Sequence, residues 1–92
     1  MLLPTMLRLM LAGLAARPIA KIEMPGREYD NIPIARVDEN DILIVSDDVD
    51  GYGERVRQTF SPVELDKVYY DHCGTLVVEL KDGRTIQISY ER

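Results

Sequence analysis

The sequence predicts one small α+β domain: an N-terminal amphipathic helix packed on an antiparallel sheet of about six strands, with a short second helix starting at Ser61. Three features point there. Apolar residues recur at helical spacing before Arg17-Pro18, short β-like runs separated by turn residues follow from Ile19 on, and the chain closes with a hairpin pattern around Asp82-Gly83. Ninety-two residues suit a single domain spanning 1–92, because two separate cores would each be too small to be stable.

The first element is a helix over Pro4 to Ala16. At about 100° per residue, Leu2, Leu3, Met6, Leu7, Met10 and Leu14 form one stripe, flanked by Leu9 and Leu11. Thr5, Arg8, Ala12, Ala15 and Ala16 take the other side. Pro4 is tolerated in a first turn, and Arg17-Pro18 ends the helix. The apolar arc spans roughly 200°, about twice what packing on one surface requires. A second subunit is the simplest cover for the excess, so a homodimer through this helix is expected. Leu9 to Ala16 has the length of a signal-peptide core, but the preceding residues are apolar where such signals carry charge. Arg8 and the shortness of the run argue against a membrane span, which needs about 20 apolar residues.

Strand-like runs follow at Ile19–Met24, ending at a Pro25-Gly26 turn, and at Ile32–Val37, ending at the polar tip Asp38-Glu39-Asn40-Asp41. Ile42–Val45 is continuously apolar and β-branched, which predicts a central strand buried on both faces. A turn-rich acidic loop, Asp47 to Gly53, leads into a strand over Glu54–Phe60 with Val56 and Phe60 on one face. Ser61-Pro62-Val63-Glu64 carries a capping box with Pro at the first helical position, so a helix starts there and runs to about Lys67. Val68-Tyr69-Tyr70 already reads as strand. In the last hairpin a two-residue loop would set apolar residues opposite polar ones. A three-residue loop, Lys81-Asp82-Gly83, pairs Val78 with Ile86 and Leu76 with Ile88 on one face, and Glu79 with Thr85 and Val77 with Gln87 on the wet face. It requires positive φ at Gly83.

Charge is concentrated. The net charge is −5, yet residues 37–54 hold seven acidic side chains and no basic one. A negative segment repels phosphate backbones, so direct nucleic-acid binding is disfavoured. The lone Cys73 excludes an internal disulfide and, with the lone His72, a zinc cluster; it fits a reducing, cytoplasmic setting. Aligned as a calcium loop, Ser46, Asp48 and Asp50 fall at ligand positions, but Arg57 stands where the bidentate glutamate belongs. An acidic, solvated turn is the better reading. Asp71-His72-Cys73 resembles a reactive cluster, but in an extended segment neighbours face opposite ways and His72 points away from both; only a sharp turn, which Gly74 would allow, could bring them together, and a structural, turn-adjacent Cys73 is the better reading. Arg55 and Arg57 suit edge charges or intramolecular partners of the acidic loop. No metal, cofactor or catalytic group is assigned.

These features point to a non-catalytic protein–protein interaction module, an inhibitor or accessory protein docking on a basic site of a larger protein, with nucleic-acid mimicry as one form of that docking. The contact residues would be Asp38, Glu39, Asp41, Asp47, Asp48, Asp50 and Glu54, with Tyr52 as an aromatic anchor. The two acidic clusters flank one strand and lie roughly 17 Å apart at about 3.4 Å per residue. The alternatives are a small enzyme or ligand-binding protein with a helix–sheet pocket, and a structural subunit of a larger assembly.

Overall fold

In the computed structural model, residues 2–13, 18–24, 27–29, 33–48, 51 and 53–91 are described. The helix α1 runs over Leu3–Gly13, and Met6 N–H donates to Leu2 O at 3.0 Å in its first turn. Its inward side is the seam Leu3, Leu7, Met10 and Leu11, with Leu7 fully buried and the other three packed on the core. Eight strands are seen among the described residues: β1 (Ile19–Met24), β2 (Arg27–Tyr29), β3 (Pro33–Val37), β4 (Leu43–Asp47), β5 (Arg55–Phe60), β6 (Leu65–Tyr70), β7 (Leu76–Leu80) and β8 (Thr85–Tyr90). The Pro25-Gly26 turn, Ile32 and the helix stop after Gly13 lie outside the described residues.

The α+β class holds, but the single sheet of six does not. The strands form two antiparallel sheets. One has the order β1-β8-β7-β6, with the three-residue β2 added outside β1; the other is β3-β4-β5. Both contribute to one core, which holds Leu7 together with Ile22, Val45, Phe60, Val68, Val78 and Ile88. Between β5 and β6 the break has a local cause. Pro62 has no N–H to offer, and the Ser61 N–H is taken by Glu64 Oε2 at 2.7 Å, so the β5 ladder stops and the chain turns into the other sheet. The helix α1 packs against β3 and β6, the edge strand of each sheet.

The second helix is also corrected. The capping residues make a single 3₁₀ turn over Pro62–Glu64, and β6 begins at Leu65. Glu64 N–H donates to Ser61 O at 3.0 Å, so the start signal is read locally. A helix of about one turn gains too little to offset nucleation, and pairing of Leu65 with Leu80 on β7 prevails.

Register follows the hydrophobic pattern where no bulge intervenes. In the β7–β8 hairpin, Leu76 pairs with Ile88, Val77 with Gln87, Val78 with Ile86 and Glu79 with Thr85, as expected. Leu80 N–H donates to Arg84 O at 2.8 Å across the three-residue loop, and Gly83 has φ 92°. Val77, expected on the wet face, is nevertheless buried. The central strand β4 is buried at all five positions, including Ser46 and Asp47.

The expected common face of Val56 and Phe60 is wrong. Between β4 and β5, Val45 pairs with Gln58 but Ser46 with Val56, leaving Arg57 as an extra residue in the edge strand. That bulge inverts the alternation, so Phe60 enters the core while Val56 is 51% exposed. Similar shifts fall at Ala20 in β1 and Asp66 in β6.

The position of Leu7 in the shared core gives a paired test of helix docking. Leu7→Ala should cost about 3 kcal/mol in denaturant unfolding, from lost burial and a residual cavity. Leu9→Ala, on the outer side of the same helix, should stay within about 0.5 kcal/mol. Equal effects would mean that the helix is not docked by the Leu7 side.

Candidate interaction surface

The acidic segment is folded onto the chain's own arginines. The Asp38–Ile42 connection between β3 and β4 is organised by one carboxylate: Asp38 Oδ1 accepts Asn40 N–H at 2.8 Å and Ile42 N–H at 3.0 Å. Asp41 takes a left-handed φ of 63° at the end of this turn. Arg8 of α1 then reaches across, donating Nη2 to Asp38 O at 2.8 Å and to Asp41 Oδ1 at 2.9 Å. Glu39 is exposed at the tip.

At the other end of β4 two more carboxylates are engaged. Register sets Asp47 directly opposite Arg55. The Asp47 side chain is only 3% exposed, and Arg55 donates Nε and Nη2 to its two oxygens at 3.1 and 3.3 Å. A buried carboxylate without such a partner would be strongly destabilising. The Arg55 hydrogen bonds hold the Asp47 carboxyl below its ordinary range, against burial. Glu54 accepts from Arg36 Nε at 2.9 Å and Nη2 at 2.8 Å, and from the Ser46 hydroxyl at 2.8 Å. Arg36 lies opposite Ile44, and Ile44 and Ser46 are buried on this outer sheet face, which the bidentate pair spans. The Arg36 bonds, then the Ser46 bond, bring the Glu54 carboxyl down to about 2 from 4.5.

The eight residues expected to form a docking surface therefore have varied roles. Asp41, Asp47 and Glu54 are ion-paired within the molecule, Asp38 organises a turn, and Asp48 accepts Gly53 N–H at 3.2 Å. Asp50 and Tyr52 lie outside the described residues. The two acidic clusters stay at opposite ends of β4 and are not brought together. The arginine partners could have been sought in the sequence for Arg55, since the β4–β5 hairpin register sets it across from Asp47. No local pattern announces Arg8, 33 residues from Asp41.

The Asp71-His72-Cys73 segment is a turn, not extended strand. Asp71 Oδ1 accepts Cys73 N–H at 2.8 Å and Thr75 N–H at 3.0 Å, and Gly74 has φ 84°. The Asp71 carboxylate is thus engaged in closing the β6–β7 hairpin, while His72 and Cys73 are exposed.

An apolar surface emerges instead beside the helix. Leu2 and Val63, 74% and 71% exposed, are the two most exposed large apolar side chains among the described residues. Both line one open groove of about 430 Å³, with Leu3, Pro4, Pro62 and Lys81. Leu2 and Leu9 are seven residues apart and so share the outer side of α1, where Leu9 is 56% exposed. This is the excess of the over-wide helix arc, left uncovered by the chain's own sheets. Among the described residues, no helix is long and apolar enough to cross a membrane.

No protein-family model, curated protein or solved structure matches this chain.

The Glu54 geometry sets a pH dependence. Its folded pKa lies below the unfolded value, so its contribution is complete above pH 4.5 and is lost as pH falls toward about 2. Glu54→Gln should destabilise by about 1 kcal/mol at neutral pH and flatten the stability profile over that acidic window. The carboxyl ¹³C shift of Glu54 should titrate near 2; a midpoint near 4.5 would show that Arg36 and Ser46 do not hold it in solution.

Proposed function

We propose that this chain is a non-catalytic protein–protein interaction module whose contact surface is the outer side of α1 and the groove beside it. The carrying observation is that Leu2, just before the helix, and Val63, in the 3₁₀ turn, are about three-quarters exposed on the rim of one groove. Water is a poor solvent for that surface, and burial of apolar area is the main driving force of association.

Docking on a basic site through the acidic turns has less to support it. Arg8, Arg36 and Arg55 already occupy Asp41, Glu54 and Asp47, and a basic partner would have to compete with them. Nucleic-acid mimicry weakens for the same reason, since it needs uncompensated charge at regular spacing. The partner reading that uses the exposed apolar surface is self-association through the N-terminal helix.

The enzyme reading draws on Asp71, His72 and Cys73, and the Asp71 carboxylate is committed to turn hydrogen bonds. The core between helix and sheets is filled by Leu7 at full burial, which leaves the groove at the helix N-terminus as an open surface feature. Both observations support binding over catalysis.

The contact can be tested in cells by placing a photo-crosslinking benzoylphenylalanine at position 9 or, as a control on another exposed apolar site, at position 56. Protein adducts should form from position 9 and not from position 56. Absence of adducts at position 9, with the chain expressed and folded, would refute the assignment.

A further inference from the structure

We infer that the groove beside α1 takes a segment of a partner protein that presents an apolar side chain with a carboxylate close by in sequence, the apolar group seated against Leu2 and Val63 and the carboxylate on Lys81 Nζ. This rests on the proposed role of that surface as a protein contact and adds the chemistry of the partner.

Charge supplies the first ground. Arg8, Arg36, Arg55 and Arg84 each bind a carboxylate of this chain, and Lys21 binds Glu23. Lys81 has no such partner among the described residues. It lines the groove with Asp41, and an adjoining hollow of about 280 Å³ with Glu64 and Asp82. Each of those acids is engaged elsewhere: Asp41 by Arg8, Asp82 by Arg84, and Glu64 by the Ser61 N–H. An ammonium left over at the rim of an apolar groove discriminates between partners. Covered by a neutral surface, it would lose hydration and gain nothing. A carboxylate replaces the lost water with a charge-assisted hydrogen bond.

Position is the second ground. Lys81 N–H donates to Glu64 O at 2.9 Å, which ties the β7–β8 loop to the 3₁₀ turn that carries Val63. Cation and apolar contact therefore sit on one fixed corner of the fold, and little ordering of this chain is required when a segment binds. Pro4 and Pro62, in the groove wall, have no N–H, so at those positions the wall offers no donor to a partner's backbone. Recognition there falls to side chains.

Shape and charge weigh against other occupants. Leu2 and Val63 remain 74% and 71% exposed, so the groove covers a ligand from one side, whereas small-molecule sites enclose most of the ligand. A second copy docking by its helix would bring Arg8, the only charged residue of α1, and nothing to pair with Lys81. The net charge of −5 does not bar an acidic segment: its repulsion is screened beyond about 8 Å at physiological ionic strength, whereas Lys81 acts at contact.

Panning a random heptapeptide phage library on the folded chain tests this. Bound peptides should be enriched in Leu, Ile, Val or Phe within two residues of Asp or Glu. A synthetic peptide of the enriched sequence should shift the amide ¹⁵N–¹H signals of Val63 and Lys81, and should bind Lys81→Met roughly fivefold more weakly. Lys81→Glu should turn the selection toward Lys and Arg, while Lys67→Met, on β6 and outside the groove lining, should bind as the parent does. Enrichment without an acid preference, an acid preference unchanged in Lys81→Met, or no enrichment at all would overturn the inference. Adducts of position 9 with a different protein in any of those cases would keep the contact surface, whereas adducts only to a second copy would overturn the partner assigned here. Absence of both adducts and enrichment would remove the two together.

Discussion

The seat of Leu7 is the constraint on which the rest of this fold depends. A pair of small open sheets leaves edge strands with unsatisfied backbone groups, and α1 lies against one edge of each, β3 and β6. The fully buried Leu7 side chain fixes the helix there. With that rotation set, Leu3, Met10 and Leu11 pack on the core while Leu2 and Leu9 must face outward. The exposed apolar stripe follows from how the helix closes the fold. The remaining edges are protected by other means: β2 is only three residues long, and β5 carries the bulged Arg57 beside Arg55.

Charge is arranged around the same frame. Each of three arginines binds a carboxylate far from it in sequence or across a strand pair, and each pair ties two elements together. Arg8–Asp41 joins α1 to the β3–β4 turn, Arg36–Glu54 joins β3 to the residue before β5, and Arg55–Asp47 joins β5 to β4. The first involves half-exposed side chains and adds little stability, but it fixes the turn against the helix. The last closes over a carboxylate that is costly to bury without a partner. The acidic excess therefore serves structure before it can serve a partner.

Much of the fold was legible because its determinants are local. The apolar run in β4, the odd-length β7–β8 loop with Gly83, the helix stripe and the capping residues at Ser61 each depend on a few neighbouring side chains, and each appears where those side chains place it. What escaped depends on non-local competition. The capping box at Ser61 starts a turn, but the pairing of Leu65 with Leu80 decides that no helix continues. One extra residue at Arg57 inverts the faces of β5, and periodicity alone carries no mark of it. The split into two sheets follows from where ladders stop, which Pro62 hints at and the strand count does not. The candidate site shares this division: the apolar excess on α1 is visible on a helical wheel, whereas the pairing of Arg8 and Arg36 with Asp41 and Glu54 requires the fold.

The helix surface and the acidic turn are consequently one mechanical unit. Arg8 is both the only charged residue of α1 and the tether of the Asp38–Ile42 turn, through a backbone carbonyl and the Asp41 carboxylate at once. Asp41 also lines the groove that holds Leu2 and Val63. Any body settling on the apolar stripe desolvates this ion pair, which strengthens the attraction between its partners while raising the cost of separating them. Occupation of the groove would thus stiffen the β3–β4 turn, which lines it at Asp41. Negative charge and apolar surface, which look like rival sites in the sequence, are coupled through a single guanidinium.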